Sequence, residues 1–204
     1  MKILIAVPTY ETITPDTFKS IYNMDKGYHA CAFDFVRGYD CASARNNIAR
    51  LALETQSDYV LMVDNDMELP PDALLNLLEG ENDVCLGYCP RRNAMNLYDG
   101  KTCIYRLGEE NYNMQYPSVE LKALAESGQY KIEVHGGGMA CALIKTDVFK
   151  RLNYPWFNWV NYSSGDILSE DLYFCELCKH AEIPIYVDTR VGCGHLFRRM
   201  QWCV

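Results

Sequence analysis

The chain lacks any excess of positive charge: 19 Lys and Arg stand against 27 Asp and Glu, a formal net charge of −8. A surface this acidic repels a phosphate backbone, so extended nucleic-acid binding through a basic face is not expected. A local basic groove, built from the Arg91-Arg92 and Arg198-Arg199 pairs, is all that such a balance leaves room for. Long hydrophobic runs are also missing. The first, Ile3 to Val7, is stopped by Pro8, short of the roughly 7–15 apolar residues of a signal-peptide core. No window approaches the roughly 18 residues of a membrane span, and a soluble, cytoplasmic protein is expected. Ten cysteines in 204 residues fall below the roughly 8–10% of a small disulfide scaffold and read as reduced thiols. Signature loops are absent as well. His135-Gly136-Gly137-Gly138 looks like a lipase oxyanion loop, but no Gly-x-Ser-x-Gly elbow accompanies it. No Gly-x-Gly-x-x-Gly follows the first strand and there is no Walker A sequence, which argues against dinucleotide oxidoreductases and P-loop enzymes. The Gly-rich opening of sugar nucleotidylyltransferases, internal repeats and linkers are missing too.

What remains is ordinary globular material, 49% hydrophobic and 23% charged, of a length suited to one domain over residues 1–204. Strand and helix patterns alternate: Lys2–Val7 as a buried strand, a helix opened by Thr14-Pro15-Asp16, strand Ala30–Val36, and helix Ser43 to Glu54. Strand Asp58–Val63 runs into Asp64-Asn65-Asp66; Pro70-Pro71-Asp72 opens a helix through Leu78, and Asp83–Tyr88 is a fourth strand. This alternation predicts an α/β fold with a mostly parallel central sheet flanked by helices. From Pro90 to Tyr130 the pattern is irregular, with only Val119–Ser127 helical, as in a functional loop region. Strand Met139–Ile144, a helical turn from Thr146, helix Ser169–Ala181 and strand Ile183–Val187 complete the reading.

Asp64-Asn65-Asp66 is the sharpest chemical feature. In extended chain, residues two apart face one side, so both carboxylates can enter one site at the carboxyl end of a buried strand. Hard oxygen ligands there suit Mg²⁺ or Mn²⁺ holding a diphosphate; a plain polar turn is the competing reading. Ser169-Glu170-Asp171 precedes an apolar-periodic helix, with Ser169 as N-cap. Its acids either serve the helix dipole or include a base that takes a proton from an attacking hydroxyl. His195, in Val191-Gly192-Cys193-Gly194-His195, reads equally as a structural residue or a metal ligand. Cys175-x-x-Cys178, with His180, Cys193 and Cys203, has zinc-like members, but inside a helix those two cysteines simply share a face and pack as small apolar groups. Trp156, Phe157 and Trp159 are either packing or a platform beside a sugar.

Strand-Pro8-Thr9-Tyr10, Ala44-Arg45-Asn46, Val63-Asp64-Asn65-Asp66, Gly137-Gly138-Met139-Ala140, Ser169-Glu170-Asp171 and Gly194-His195 occur in the order seen in GT-A glycosyltransferases, and the chain most resembles a compact family-2-type member. The resemblance implies a Rossmann-like GT-A domain, with 90–135 as an acceptor-side region. It implies a metal-dependent glycosyltransferase moving a sugar from a nucleoside-diphosphate-sugar, a UDP-sugar foremost, to an acceptor hydroxyl, with inversion foremost and retention open because both kinds of enzyme share the scaffold. Pro8, Thr9, Tyr10, Arg45, Asp64 and Asn65 would serve the donor. Asp66 and His195 would hold Mn²⁺ or Mg²⁺, and Asp171, with Glu170 beside it, would be the base. Gly137, Gly138 and Trp156 would face the acceptor. The alternatives are a non-catalytic nucleotide-sugar or glycan-binding module on the same scaffold, and a glycosyltransferase acting on a modified nucleic-acid base.

Overall fold

A computed structural model describes residues 1–9, 12–92, 98–106 and 114–196. The first half alternates as its apolar runs dictate: β1 (Lys2–Pro8), α1 (Pro15–Asn23), β2 (Ala30–Val36), α2 (Cys41–Glu54), β3 (Tyr59–Val63), β4 (Met67–Glu68), α3 (Ala73–Leu78) and β5 (Val84–Tyr88). Thr14 caps α1 by accepting from the Thr17 N–H at 3.2 Å, with Pro15 at its first turn. Asp40 and Ser43 cap α2 reciprocally, each accepting from the other's backbone N–H.

The segment expected to be irregular contains three strands, β6 (Pro90–Arg92), β7 (Tyr98–Tyr105) and β8 (Gln115–Pro117), followed by α4 (Ser118–Glu126). They pair antiparallel, with register shifts in β6–β7 and β7–β8 that break the two-residue alternation and hide them from a periodicity reading. The chain continues through β9 (Lys131–Val134), β10 (Gly136–Gly137), β11 (Cys141–Lys145), α5 (Val148–Arg151), β12 (Val160–Asn161), β13 (Ile167–Leu168), α6 (Glu170–His180), β14 (Ile185–Gly192) and β15 (Gly194–His195).

Seven strands form the central sheet in the order β2-β1-β3-β11-β5-β14-β9. The pairings set five of them running one way, with β11 and β9 reversed. Both faces are covered, so alternate residues of each strand enter different cores. Leu4, Ala6, Val60 and Met62 pack under the α2 and α6 side, whereas Ile3, Ile5, Leu61 and Val63 pack under α1 and α3. Among the described residues no helix is long and apolar enough to cross a membrane.

Candidate functional site

The site is a property of one sheet edge. β1 neighbours both β2 and β3, so the chain order reverses there, the position at which open α/β sheets hold ligands. Parallel register aligns Ala6 with Met62, so Pro8-Thr9 and Asp64 emerge at the same edge. β11 runs the other way and pairs Cys141 with Val63, which delivers Gly138-Met139-Ala140 to that edge; the Ala140 carbonyl accepts the Asp64 N–H at 2.9 Å. β14 pairs Gly192 with Tyr88 of β5, bringing Cys193-Gly194-His195 alongside Cys89-Pro90.

Arg45, buried on α2, gathers the acids. Its Nη2 donates to Asp64 Oδ1 at 2.8 Å, its Nε to Glu170 Oε1 at 3.4 Å and its Nη1 to the Met139 carbonyl at 3.2 Å. Its guanidinium is thus held by protein groups, and its place is that of a clamp between β3 and α6. Burial works against the Arg45 charge, but Asp64, Glu170 and Asp171 more than offset it and raise its affinity for the proton. The acids are less well served. Burial pushes the Asp64 carboxyl above its ordinary range, Arg45 pulls it back, and Asp66 pushes it up again. Glu170 is raised by burial in the same way, against Arg45, with Asp171 adding to the rise. One cation therefore faces more carboxylate than it neutralises.

Asp66 and His195 meet through a minimal ladder. β15 pairs antiparallel with β4, setting His195 opposite Met67, and the Leu196 N–H donates to the Asp66 carbonyl at 2.9 Å. The His195 ring has its Nδ1 2.9 Å from the Pro90 carbonyl. A carbonyl only accepts, so Nδ1 carries the proton and, in the neutral ring, Nε2 carries the lone pair. That Nε2 stands 3.5 Å from Asp66 Oδ2. Two acceptors set face to face require a proton or a cation between them. The spacing is near the about 3 Å that separates adjacent donors around an octahedral ion with bonds of about 2.1 Å. Among the described residues no group of three or more His, Cys, Asp or Glu could hold a metal. Two protein donors alone would leave most positions of any such ion to water and ligand oxygens. The Pro90 carbonyl supplies the outer hydrogen bond that orients such a histidine.

Asp171 lies in the first turn of α6. Its Oδ1 accepts from the Ser169 hydroxyl and from the Leu172 N–H at 2.8 Å. Ser169 stands at the N-cap position, yet its side chain makes no capping bond; the hydroxyl is turned onto Asp171 instead, correcting the expected cap. Asp171 Oδ2 lies over Gly138, where an added Cβ would come within 3.5 Å of it. Gly137 answers to packing: a Cβ there would sit 2.7 Å from Ile104 Cδ1 and 2.8 Å from Leu86 Cδ1. A larger residue there would push the buried Ile104 and Leu86 side chains aside and crowd the Cys103 carbonyl at 3.1 Å.

The remaining expected positions divide. Pro8 and Thr9 reach the edge, with the Thr9 hydroxyl donating to the Thr12 carbonyl at 2.9 Å; Tyr10 lies outside the described residues. Asn65 turns its amide onto the Thr12 carbonyl at 2.7 Å, and its own carbonyl accepts the Thr14 N–H, tying the triplet to the start of α1. Trp156 is drawn into the core, its indole N–H donating to the Phe149 carbonyl at 2.8 Å, so it offers no platform to solvent. The cause is Asn46, whose Oδ1 accepts from the Trp156 and Phe157 N–H groups while its Nδ2 donates to the Phe157 carbonyl. Cys175 and Cys178 are buried core thiols that burial pushes up, Cys178 to about 12; Cys203 is outside the described residues. Arg91 donates to Gln115 Oε1 at 3.0 Å. Arg198, Arg199 and the Arg92 side chain also lie outside the description. The Pro90 carbonyl is a site-building group that no motif announced, and Asn46 and Met139, though within quoted motifs, act in ways those motifs did not suggest. Their roles rest on main-chain positions or a single amide, which carry no spacing signal.

No family model matches the sequence, and no curated protein matches it. Solved structures do. The chain superposes on GalNAc-T7, solved with UDP, GalNAc and Mn²⁺, with a TM-score of 0.66 at 10% identity over 98% of this chain and 44% of that one. It superposes on A197 from STIV with a TM-score of 0.62 at 18% identity, over 97% of this chain and 87% of that one. At these identities the likeness shows the fold, which is that of a GT-A glycosyltransferase.

Proposed function

We propose that the protein is a divalent-metal-dependent glycosyltransferase that moves a sugar from a nucleoside-diphosphate-sugar, a UDP-sugar foremost, to an acceptor hydroxyl with inversion. The observation that carries this reading is the opposition of His195 Nε2 and Asp66 Oδ2 at 3.5 Å, locked by the Pro90 carbonyl, at the sheet edge where Asp64 also emerges. The presence of Mn²⁺ and UDP in the structure of GalNAc-T7, which shares the fold, supports it.

In this reading Asp66 and His195 hold Mn²⁺ or Mg²⁺, which when bound neutralises charge on the departing nucleoside diphosphate. Pro8 and Thr9, at the end of β1, border the nucleoside side of the crevice. Asp64, fixed by Arg45, accepts from donor hydroxyls. Asp171 receives the acceptor's proton at Oδ2, its other oxygen being held by Ser169 and the Leu172 N–H so that the carboxylate cannot rotate away. Glu170 is bound to Arg45 and positions rather than reacts.

Thermal unfolding with UDP-sugars and Mn²⁺ tests this directly. A ligand at about a hundred times its Kd adds about 2.7 kcal/mol, or about 5–10 °C for a chain of this size. Asp66→Ala and His195→Ala should each abolish the Mn²⁺-dependent shift while moving the ligand-free melting temperature little. Asp171→Asn should keep the shift and lose transfer. Unchanged metal dependence in the first two overturns the metal assignment. Donor binding without turnover in the native chain favours the non-catalytic module.

A further inference from the structure

Resting on the transfer reading above, we propose that the groove between α6 and the β12–β13 hairpin is the acceptor subsite and that it takes an uncharged oligosaccharide. The groove encloses about 1130 Å³ and is lined by Tyr105, Tyr162, Tyr173, Asp166, Glu176 and His180 among others. That is room for several sugar rings, at the upper end of small-ligand sites.

The groove shares two elements with the surroundings of the base. Leu172, next in the chain to Asp171, lines it. Tyr105 lines it too, and its backbone pairs with Gly136 of the strand that leads to Gly138, over which Asp171 Oδ2 lies. The groove thus adjoins the turn of α6 that carries Asp171, and we place the acceptor there on that adjacency. The outer rim is a tight hairpin, closed by the Tyr162 N–H to the Asp166 carbonyl at 2.9 Å and the Gly165 N–H to the Tyr162 carbonyl at 3.0 Å. It leaves Tyr162 51% and Ile167 64% exposed. Among the described residues nothing packs over this apolar surface, and on so short a ribbon such exposure is typical of recognition sites.

The lining chooses the chemistry. A sugar ring has an apolar face and a hydroxyl rim, and tyrosines answer both with a flat face and a polar tip. Among the described lining residues only His180 can carry positive charge, against Asp166 and Glu176, a balance that disfavours anionic acceptors. The same two carboxylates would draw a basic peptide, which is therefore one arm of the test, although both already have partners in the chain. Asp166 Oδ2 already accepts from Ser164 at 2.8 Å, and Glu176 faces His135 Nε2 at 3.6 Å. Neutral hydroxyls, able both to donate and to accept, match what is left. The aromatic platform expected at Trp156 is thus provided by tyrosines from three separate elements.

The test separates the groove from the donor site. Binding of neutral hexasaccharides (gluco-, xylo-, manno- and N-acetylchito-series), an oligogalacturonate and a serine-containing basic peptide is followed by NMR without donor, and hydrolysis of the donor sugar is followed separately. The expected result is binding of at least one neutral series, weakened tenfold or more in Tyr162→Ala and in Tyr173→Phe plus Ile167→Ser, with donor hydrolysis unchanged. Tyr162 is exposed, so its loss leaves the fold intact. Preference for the oligogalacturonate or the peptide overturns the proposal, as does donor turnover in a protein that binds no neutral series. A protein that binds a neutral oligosaccharide at this groove but neither binds nor hydrolyses donor sinks the transferase reading and leaves the groove standing.

Discussion

Two of the ion clusters among the described residues are built on opposite plans. At the sheet edge one buried guanidinium, Arg45, faces Asp64 and Glu170, with Asp171 adding to its field. On β14, fully buried Asp188 is met by two cations, Lys131 at 2.9 Å and Arg190 at 2.7 Å, and Arg190 also reaches Glu79 at 2.6 Å. Burial alone would raise the Asp188 carboxyl, but the hydrogen bonds from Arg190 and Lys131 overcome it and hold it below its ordinary value. Asp64 and Glu170 are left above theirs. The Asp188 cluster completes its own charge balance; among the described residues the edge cluster holds more carboxylate than cation, and perturbed carboxylates of that kind make it a candidate functional site. A bound cation would supply what Arg45 does not.

The largest effect should come from Arg45→Met, which strands two buried acids and should cost about 3–5 kcal/mol in urea unfolding, with loss of all transfer. Asp188→Asn should be milder, about 2–3 kcal/mol, because Lys131 and Arg190 retain contact with water. It should leave any Mn²⁺-dependent stabilisation intact; a change there would merge the two clusters into one functional unit.

Acid titration of stability sharpens the contrast further. Asp64 and Glu170 have folded pKa values raised above the ordinary 3.8 and 4.5, so the folded state takes up protons first and gains stability as pH falls through that raised range. Asp188 has a folded value below 3.8, so its contribution is complete above that pH and is lost as pH falls below it. Unfolding midpoints from pH 7 to 3 should rise and then fall, and Asp188→Asn should flatten only the fall. The smallest effect belongs to Ser169→Ala, about five- to tenfold in kcat through the freed Asp171 carboxylate, with stability changed by less than about 0.5 kcal/mol since the hydroxyl caps nothing. A loss of about 1 kcal/mol would restore Ser169 to the capping role.

The strands β1, β3 and β5 are legible because each is a short apolar run buried on both faces, and the α/β class follows from their alternation with helices. β7 is not legible. Gly100 interrupts it and its partners are joined out of register, so neither a run nor an alternation survives. Asp64, Asp66, Asp171 and His195 stand out as residue types in order, but their meeting does not. The ladder that sets His195 beside Asp66 is two residues long, and the edge that gathers the others includes a reversed strand. Arg45 is visible as a residue, whereas its role depends on the depth at which α2 packs. Trp156 looks like a loop aromatic after Pro155 until Asn46, far away in the chain, bonds the backbone around it.

The reversed strand has a consequence for the order of folding. β11 separates β3 from β5, so residues 1–92 can form β2-β1-β3 on one side and β5 on the other with no strand joining them. Until β11 arrives, the β3 edge presents open backbone groups, the condition under which nascent chains associate wrongly. The same stretch of chain brings the Met139 carbonyl that receives Arg45 and the Ala140 carbonyl that receives Asp64. The joining of β3 to β5 and the anchoring of Arg45 and Asp64 therefore depend on one stretch of chain, while Glu170, Asp171 and His195 join the edge only from later segments.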